Sequence, residues 1–366
     1  MKNKKIDLSM VFSMAVYTIA AIITTGYQIE LYQGQSKTLL TIVMFVVALY
    51  AHIIIHEGGH LVFGLLTGYG FLSFRIGSFV FQKNNGKMEV KRNSLASTGG
   101  QCLLSAPDYN DGNYPYFWYN AGGVIFNLVF AILSLVIATK TKNVKFISLF
   151  FFTMFTIGLT IAITNGVPMK TKMISNDAKN ILDMSKDELT KKCDWLILKI
   201  YGTNMEGTRL KDMPDEWFDI ENSENNNDLI NNVRCYKATR YLDNADWENA
   251  EKYMDEILDN GLLTSSANYY LMYLDRLTLQ LVKDAANTDV SVLQQKDFKS
   301  FIKSMRFNPT VIRTQYAIEK LKNKNDEAAN KIAEEFEKVK KTYPIQADLE
   351  TEQLIWNLIN NKAKEN

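Results

Sequence analysis

His56-Glu57-Gly58-Gly59-His60 sets two imidazoles four residues apart with a carboxylate between them. On a helix, positions i and i+4 share a face, so both rings can reach one metal ion. A Glu between two such His residues is the general base of zinc hydrolases, taking a proton from the water that attacks a carbonyl. The same spacing arises by chance in soluble helices, but these surroundings are apolar. From Leu39 to Leu66, 28 residues, Glu57 is the only acidic side chain and no Lys, Arg or Asp occurs. That length crosses a bilayer core of ~30 Å at ~1.5 Å per helical residue. Ionisable groups at such depth are costly and are kept for function, so a metal site is expected here.

Two histidines leave a catalytic zinc one protein ligand short. His52 lies on the same stripe as His56 and His60. Eight residues rise ~12 Å along a helix, whereas ligands of one ion each lie ~2 Å from it. His52 is therefore expected behind the ligands, or as a polar lining residue. Asp177 is the best-placed remaining carboxylate, in Ser175-Asn176-Asp177 after Asn165-Gly166-Val167-Pro168. Pro168 ends the preceding helix and allows the next segment to fold back. A plain helix-starting Asp is the alternative reading.

These side chains must be held by membrane helices. The chain of 366 residues carries a net charge of +1, which gives no electrostatic case for nucleic acid. Long apolar runs fill the first 170 residues or so, and the remainder is rich in Lys, Glu and Asn. Cys102, Cys193 and Cys235 have uninformative spacings and suggest no disulfide framework. Membrane spans are expected at about 8–28, 39–66, 116–139 and 144–167, the first being too long for a signal-peptide core. Lys2, Lys4 and Lys5, Arg75 to Arg92, and Lys170 to Lys179 flank the spans on one side, which sets both termini in the cytoplasm; Lys140, Lys142 and Lys145 dissent. Between the second and third spans, about 71–92, Asn85-Gly86 separates two strand-like runs and predicts a hairpin with Phe81 facing Val90. Residues 93–115, with paired glycines, Pro107 and Pro115, read as irregular loop.

Taken in order, these features resemble the site-2 protease family of intramembrane zinc metalloproteases. The resemblance rests on His56 to His60, the hairpin, Gly123-Val124-Ile125-Phe126-Asn127, and Asn165 to Asp177, and it covers about residues 39–180. It implies one Zn2+ bound by His56, His60 and Asp177, with Glu57 as base. By the same resemblance, Asn127 and Asn165 would lie near the substrate or the oxyanion. Val124 stands where the family usually has Pro, and Ala178 where it usually has Gly. Substrates implied by the family are membrane-anchored regulators, signal-peptide remnants and precursors of signalling peptides.

Residues 181–366 read as a cytoplasmic helical domain. Ser185-Lys186-Asp187-Glu188 predicts a cap before a helix over 189–201. Residues 221–232 read as a linker. Tyr236 to Leu258, broken at Asn244-Ala245-Asp246, is similar to a tetratricopeptide helix pair, and further helices are expected over 268–283 and 313–342. Such a domain either offers a concave face to a cytoplasmic protein or peptide partner, or packs on itself. The expected fold is mostly α: a four-helix transmembrane bundle with a β-hairpin insertion over 1–180, then the helical domain. The expected function is an endopeptidase of the bacterial cell membrane acting on a membrane-embedded peptide or protein. The alternatives are a catalytically silent peptide-binding scaffold, and a zincin of another family with a tail Glu as third ligand.

Overall fold

The computed structural model describes residues 8–84, 87–92, 99–110, 112, 114–170, 175–220, 226–263 and 265–365. It divides into two compact units, Met1–Phe71 with Gly99–Lys186, and Leu72–Thr98 with Asp187–Asn366.

The first unit is built on α1 (Leu8–Leu31), α2 (Thr38–Leu66), α3 (Tyr116–Lys140) and α4 (Lys145–Gly166). All four are long and apolar enough to cross a membrane, and they agree with the expected spans to within a few residues. Ile22, Val47 and Leu133 are among the large apolar side chains on their outer surfaces. In lipid no apolar driving force pulls helices together, so small residues and buried polar pairs must do it. Thr24 of α1 shares a 2.8 Å hydrogen bond with Thr156 of α4, and Tyr27 one of 2.6 Å with Ser148. Between α2 and α4, Ala48 packs with Met154, Ile157 and Ile161.

α2 and α3 approach one another closely. A Cβ on Gly59 would fall well inside contact distance of the Gly122 carbonyl oxygen, and one on Gly122 would meet the Gly59 carbonyl. The two backbones touch, which only glycine permits. Because Gly59 lies between His56 and His60, this contact also fixes where the two imidazoles stand against α3.

Four strands follow α2: β1 (Gly70–Ile76), β2 (Phe79–Asn84), β3 (Lys87–Arg92) and β4 (Gly100–Ser105). They form one sheet in the order β3-β2-β1-β4. β2 and β3 are antiparallel with Phe81 opposite Val90, as the hairpin pattern predicts, and Asn84 opposite Lys87. The turn residues Asn85 and Gly86 lie outside the described residues, as do 93–98 and the N-terminal lysines. Two corrections arise here. The segment expected to be irregular contains β4, whose alternate residues Gly100, Cys102 and Leu104 are buried and which packs on α2. The single strand-like run expected before the Asn-Gly turn, from about residue 71, is instead two strands, β1 and β2, so the hairpin is part of a sheet whose outer strands are β3 and β4.

In the second unit, β2 and β3 group with the C-terminal helices. Gln82 donates to the Pro344 carbonyl at 3.0 Å, and the Arg92 amide donates to Thr342 at 2.8 Å. The helices, after α5 (Asp177–Lys186) of the first unit, are α6 (Glu188–Met205), α7 (Asp228–Asp243), α8 (Trp247–Asp259), α9 (Ser266–Asp284), α10 (Lys296–Ser304), α11 (Pro309–Ala317), α12 (Asp326–Lys340) and α13 (Gln346–Glu365). Asp187, not Ser185, caps α6 by accepting from the Thr190 amide at 3.0 Å. Ser185 belongs to the last turn of α5, and α6 runs past Gly202 to Met205. α7 starts at Asp228, inside the expected linker, because Asn227 caps it. The break at 244–246 is present, with Ala245 at φ 56° and Asp246 capping α8. The single helix expected over 313–342 is instead α11, a π-helical segment Ile318–Lys322 and α12, separated by Lys324 at φ 51° and the capping Asn325.

α13 packs against α6, α7, α9 and α11, so the chain's own last helix covers the face that these helices share. Trp356 of α13 stacks on Tyr316 and Phe336, with ring centroids at 4.0 and 4.6 Å. Arg313, 1% exposed, holds Glu352 at 2.9 Å and also pairs with Asp275. Asp348 accepts from Asn204 at 2.6 Å and from Tyr343, with Asp243 nearby.

Gly59→Ala is expected to destabilise the membrane unit by roughly 1–3 kcal/mol, the usual cost of overpacking. Gly58→Ala, where a Cβ meets nothing within 4 Å, should leave the thermal midpoint in detergent unchanged. In the helical unit, burial pushes the Asp348 carboxyl up to about 6, whereas an unfolded Asp titrates near ~4. Stability from this group is full below the unfolded value and is lost as pH rises through the folded one. Asp348→Asn should therefore raise the denaturation midpoint relative to wild type increasingly from about pH 4 to about pH 6, and by a constant amount above that. Parallel pH profiles for the two proteins would refute this.

Candidate metal centre

α2 presents His56 and His60 one turn apart toward α3. Gly123 of α3 makes room for the first, since a Cβ there would collide with the His56 ring. The chain then leaves α4 at Pro168 and returns, and Asn176 secures the return. Its Nδ2 donates to the carbonyls of Thr164 and Val167 at 2.8 and 2.7 Å. Its Oδ1 accepts from the amides of Met169 and Lys179, both at 3.0 Å. Asn176 thus caps α5 and ties it to the end of α4, and the next residue, Asp177, begins α5 facing the two imidazoles.

His56 Nε2 lies 3.1 Å from Asp177 Oδ2 and 3.2 Å from His60 Nε2, and His60 Nε2 lies 3.6 Å from the same oxygen. Two tetrahedral ligands each ~2.05 Å from zinc stand ~3.3 Å apart, so the triangle has the edge lengths such an ion requires. Asp177 Oδ2 is buried and has no well-directed hydrogen bond, although both ring nitrogens are close. Burial raises the Asp177 carboxyl pKa, yet the two imidazoles hold it well below the usual carboxylate range. An orphaned, ionised oxygen aimed at two ring nitrogens fits a divalent cation. Among the described residues this is the cluster of His, Cys, Asp and Glu able to hold one.

His60 Nδ1 donates to the Tyr119 carbonyl at 2.7 Å, which leaves Nε2 with its lone pair toward the cluster. Glu57, 9% exposed, points elsewhere on the helix, toward β4. A Cβ on Gly100 would lie 2.7 Å from Glu57 Oε1, so the first residue of β4 lies against the carboxylate.

The remaining sequence-predicted residues take other places. Asn127 is fully buried, with Oδ1 2.8 Å from His52 Nδ1 and Nδ2 2.9 Å from His56 Nδ1. His52 is equally buried and lies against α4 at Gly158. Asn165 donates to the Ile161 carbonyl at 3.0 Å within its own helix. Sequence reasoning passed over Asn176, Gly100 and the Gly59–Gly122 contact. Asn176 had a visible signal, an Asn just before a helix-starting Asp; the other two depend on which segments meet.

Four membrane-length helices, with two imidazoles and a carboxylate converging beside a Glu, define the class as a membrane-embedded metallopeptidase. The sequence model of Peptidase family M50 matches residues 44–351, from α2 into α13, and the chain belongs to that family, the site-2 proteases. Comparison with curated proteins and with solved structures gives no match. Members of the family are intramembrane zinc metalloproteases, which makes a peptide or protein the class of substrate.

Asn176→Ala removes four hydrogen bonds of ~1 kcal/mol each and leaves the ends of α4 and α5 untied. Zinc per purified chain, measured by atomic spectroscopy, should fall at least ~10-fold. Wild-type zinc content in this variant would show that Asn176 does not support the cluster.

Proposed function

We propose that the chain is an intramembrane zinc endopeptidase in which His56, His60 and Asp177 hold the metal and Glu57 is the general base. The observation that carries this reading is the ligand triangle, with edges of 3.1, 3.2 and 3.6 Å around an orphaned carboxylate oxygen. Zinc, when bound, polarises the scissile carbonyl and lowers the pKa of its water toward ~7. Glu57 accepts the proton of the attacking water and passes it to the leaving amine. The bundle around the cluster restricts bulk water, so the charge of Glu57 acts in a medium of low dielectric.

A helical substrate hides its amides in internal hydrogen bonds and has to unwind before cleavage. β4 is the outer strand beside α2, and the substrate adds to it as a further strand. Support for this comes from the sheet order and from Gly100 lying against Glu57. Substrates are membrane-anchored regulators, signal-peptide remnants or signalling-peptide precursors. Residues 1–180 form the protease domain of a bacterial cell-membrane protein, and 181–366 a cytoplasmic domain. Lys and Arg beside the spans set both termini inside.

Glu57→Gln should keep zinc and lower hydrolysis by ~10²–10⁴-fold, the range for losing a general base. Membrane peptides that accumulate in cells carrying this variant, and not wild type, are the substrates. If Glu57→Gln still supports cleavage, or Asp177→Ala still binds stoichiometric zinc, the reading fails.

A further inference from the structure

The two imidazoles of the cluster are supported differently. The partner of His60 Nδ1 is the Tyr119 backbone carbonyl, which can only accept. His60 must therefore carry its proton on Nδ1 and keep Nε2 free. His56 Nδ1 faces the Asn127 side-chain amide at 2.9 Å, and an amide has a donor end and an acceptor end of nearly the same shape. Which end faces His56 decides whether that ring can bind metal.

With Nδ2 toward His56, Asn127 donates to Nδ1 and the neutral ring carries its proton on Nε2. That is the atom 3.1 Å from Asp177 Oδ2, and a protonated nitrogen cannot be a ligand. Turning the amide over places Oδ1 against His56. Nδ1–H then donates to it, and Nε2 presents its lone pair to the cluster. Nδ2 must now donate to His52 Nδ1, 2.8 Å from the other end of the amide. His52 in turn carries its proton on Nε2.

A second observation favours the turned arrangement. His52 Nε2 is buried with no hydrogen-bond partner of ordinary geometry, while the backbone of Met154 faces the ring. A proton on Nε2 gives that nitrogen a carbonyl to approach; a lone pair there would meet only another lone pair. Gly158 of α4 and Gly123 of α3 leave room for the two imidazoles that Asn127 joins.

We propose that His52 is a positioning residue of the metal centre. By accepting a hydrogen bond from Asn127 it orients the amide, and the oriented amide holds His56 in the tautomer that ligates through Nε2. This rests on the reading of His56, His60 and Asp177 as the metal site. It assigns no contact between His52 and either metal or substrate.

The test uses the full chain in detergent and competition for zinc against a chromophoric chelator. His52→Phe keeps a ring but removes the acceptor, and should weaken zinc binding ~10-fold or more, the usual effect of losing a partner behind a ligand. His52→Asn, whose Oδ1 falls where Nδ1 was, should bind within ~3-fold of wild type. Asn127→Leu should match His52→Phe, and the double variant should lose no more than Asn127→Leu alone, because both act through one chain of bonds. Nitrogen NMR of zinc-loaded wild type should show His52 as the Nε2–H tautomer, a readout that needs no variant. Wild-type affinity in His52→Phe, losses that multiply in the double variant, or an Nδ1–H His52 would overturn the proposal. A wild-type chain that binds no zinc would sink the metal-site reading itself, a result distinct from these.

Discussion

Two imidazole nitrogens and a carboxylate oxygen share a triangle of 3.1–3.6 Å inside an apolar bundle, an arrangement that calls for positive charge among them, a proton or a metal ion. A unit positive charge this close to the carboxylate interacts with it by several kcal/mol even at an effective dielectric of 20. The first unit is organised around this convergence. α2 supplies His56 and His60, α3 packs behind them, and the segment leaving α4 doubles back to supply Asp177.

Each requirement is met with few side chains. Backbone contact at Gly59 and Gly122 sets α2 against α3 closely enough for the Tyr119 carbonyl to reach His60. Asn176 satisfies two carbonyls that the end of α4 leaves exposed and two amides that the return segment and α5 leave unpaired. One side chain therefore closes one helix, opens another and delivers Asp177. Away from the site, the hydroxyls of Thr24, Thr156, Tyr27 and Ser148 join α1 to α4 where apolar packing alone gives little preference.

Much of this was readable in the sequence, for a physical reason. The four spans announce themselves by length and polarity, and the i, i+4 spacing of His56 and His60 needs only local helix geometry. The β2–β3 register was also legible, since a two-residue turn leaves no other pairing for Phe81. What stayed hidden depends on tertiary placement. β4 carries Gly, Gln, Cys and Leu rather than a β-branched run, so propensity does not reveal it; its place beside β1 and α2 makes it a strand. The break between α11 and α12 turns on Lys324 in the left-handed region, which no Gly or Pro marks. The contacts of the Asn127 amide with His52 and His56 likewise depend on how α2 and α3 meet.

The position of Glu57 connects the metal cluster to the sheet. One residue on from His56, a helix has turned by about 100°, so a carboxylate there cannot share the face of the two ligands. It points instead to the first residue of β4, and that residue is glycine. Any side chain at position 100 would occupy the space beside the carboxylate. A helix is too wide to lie against a strand edge and has its own carbonyls in internal hydrogen bonds, so only an extended chain could lie between this carboxylate and the strand. The small residue at the start of β4 thus leaves open the space beside Glu57 that a side chain would fill.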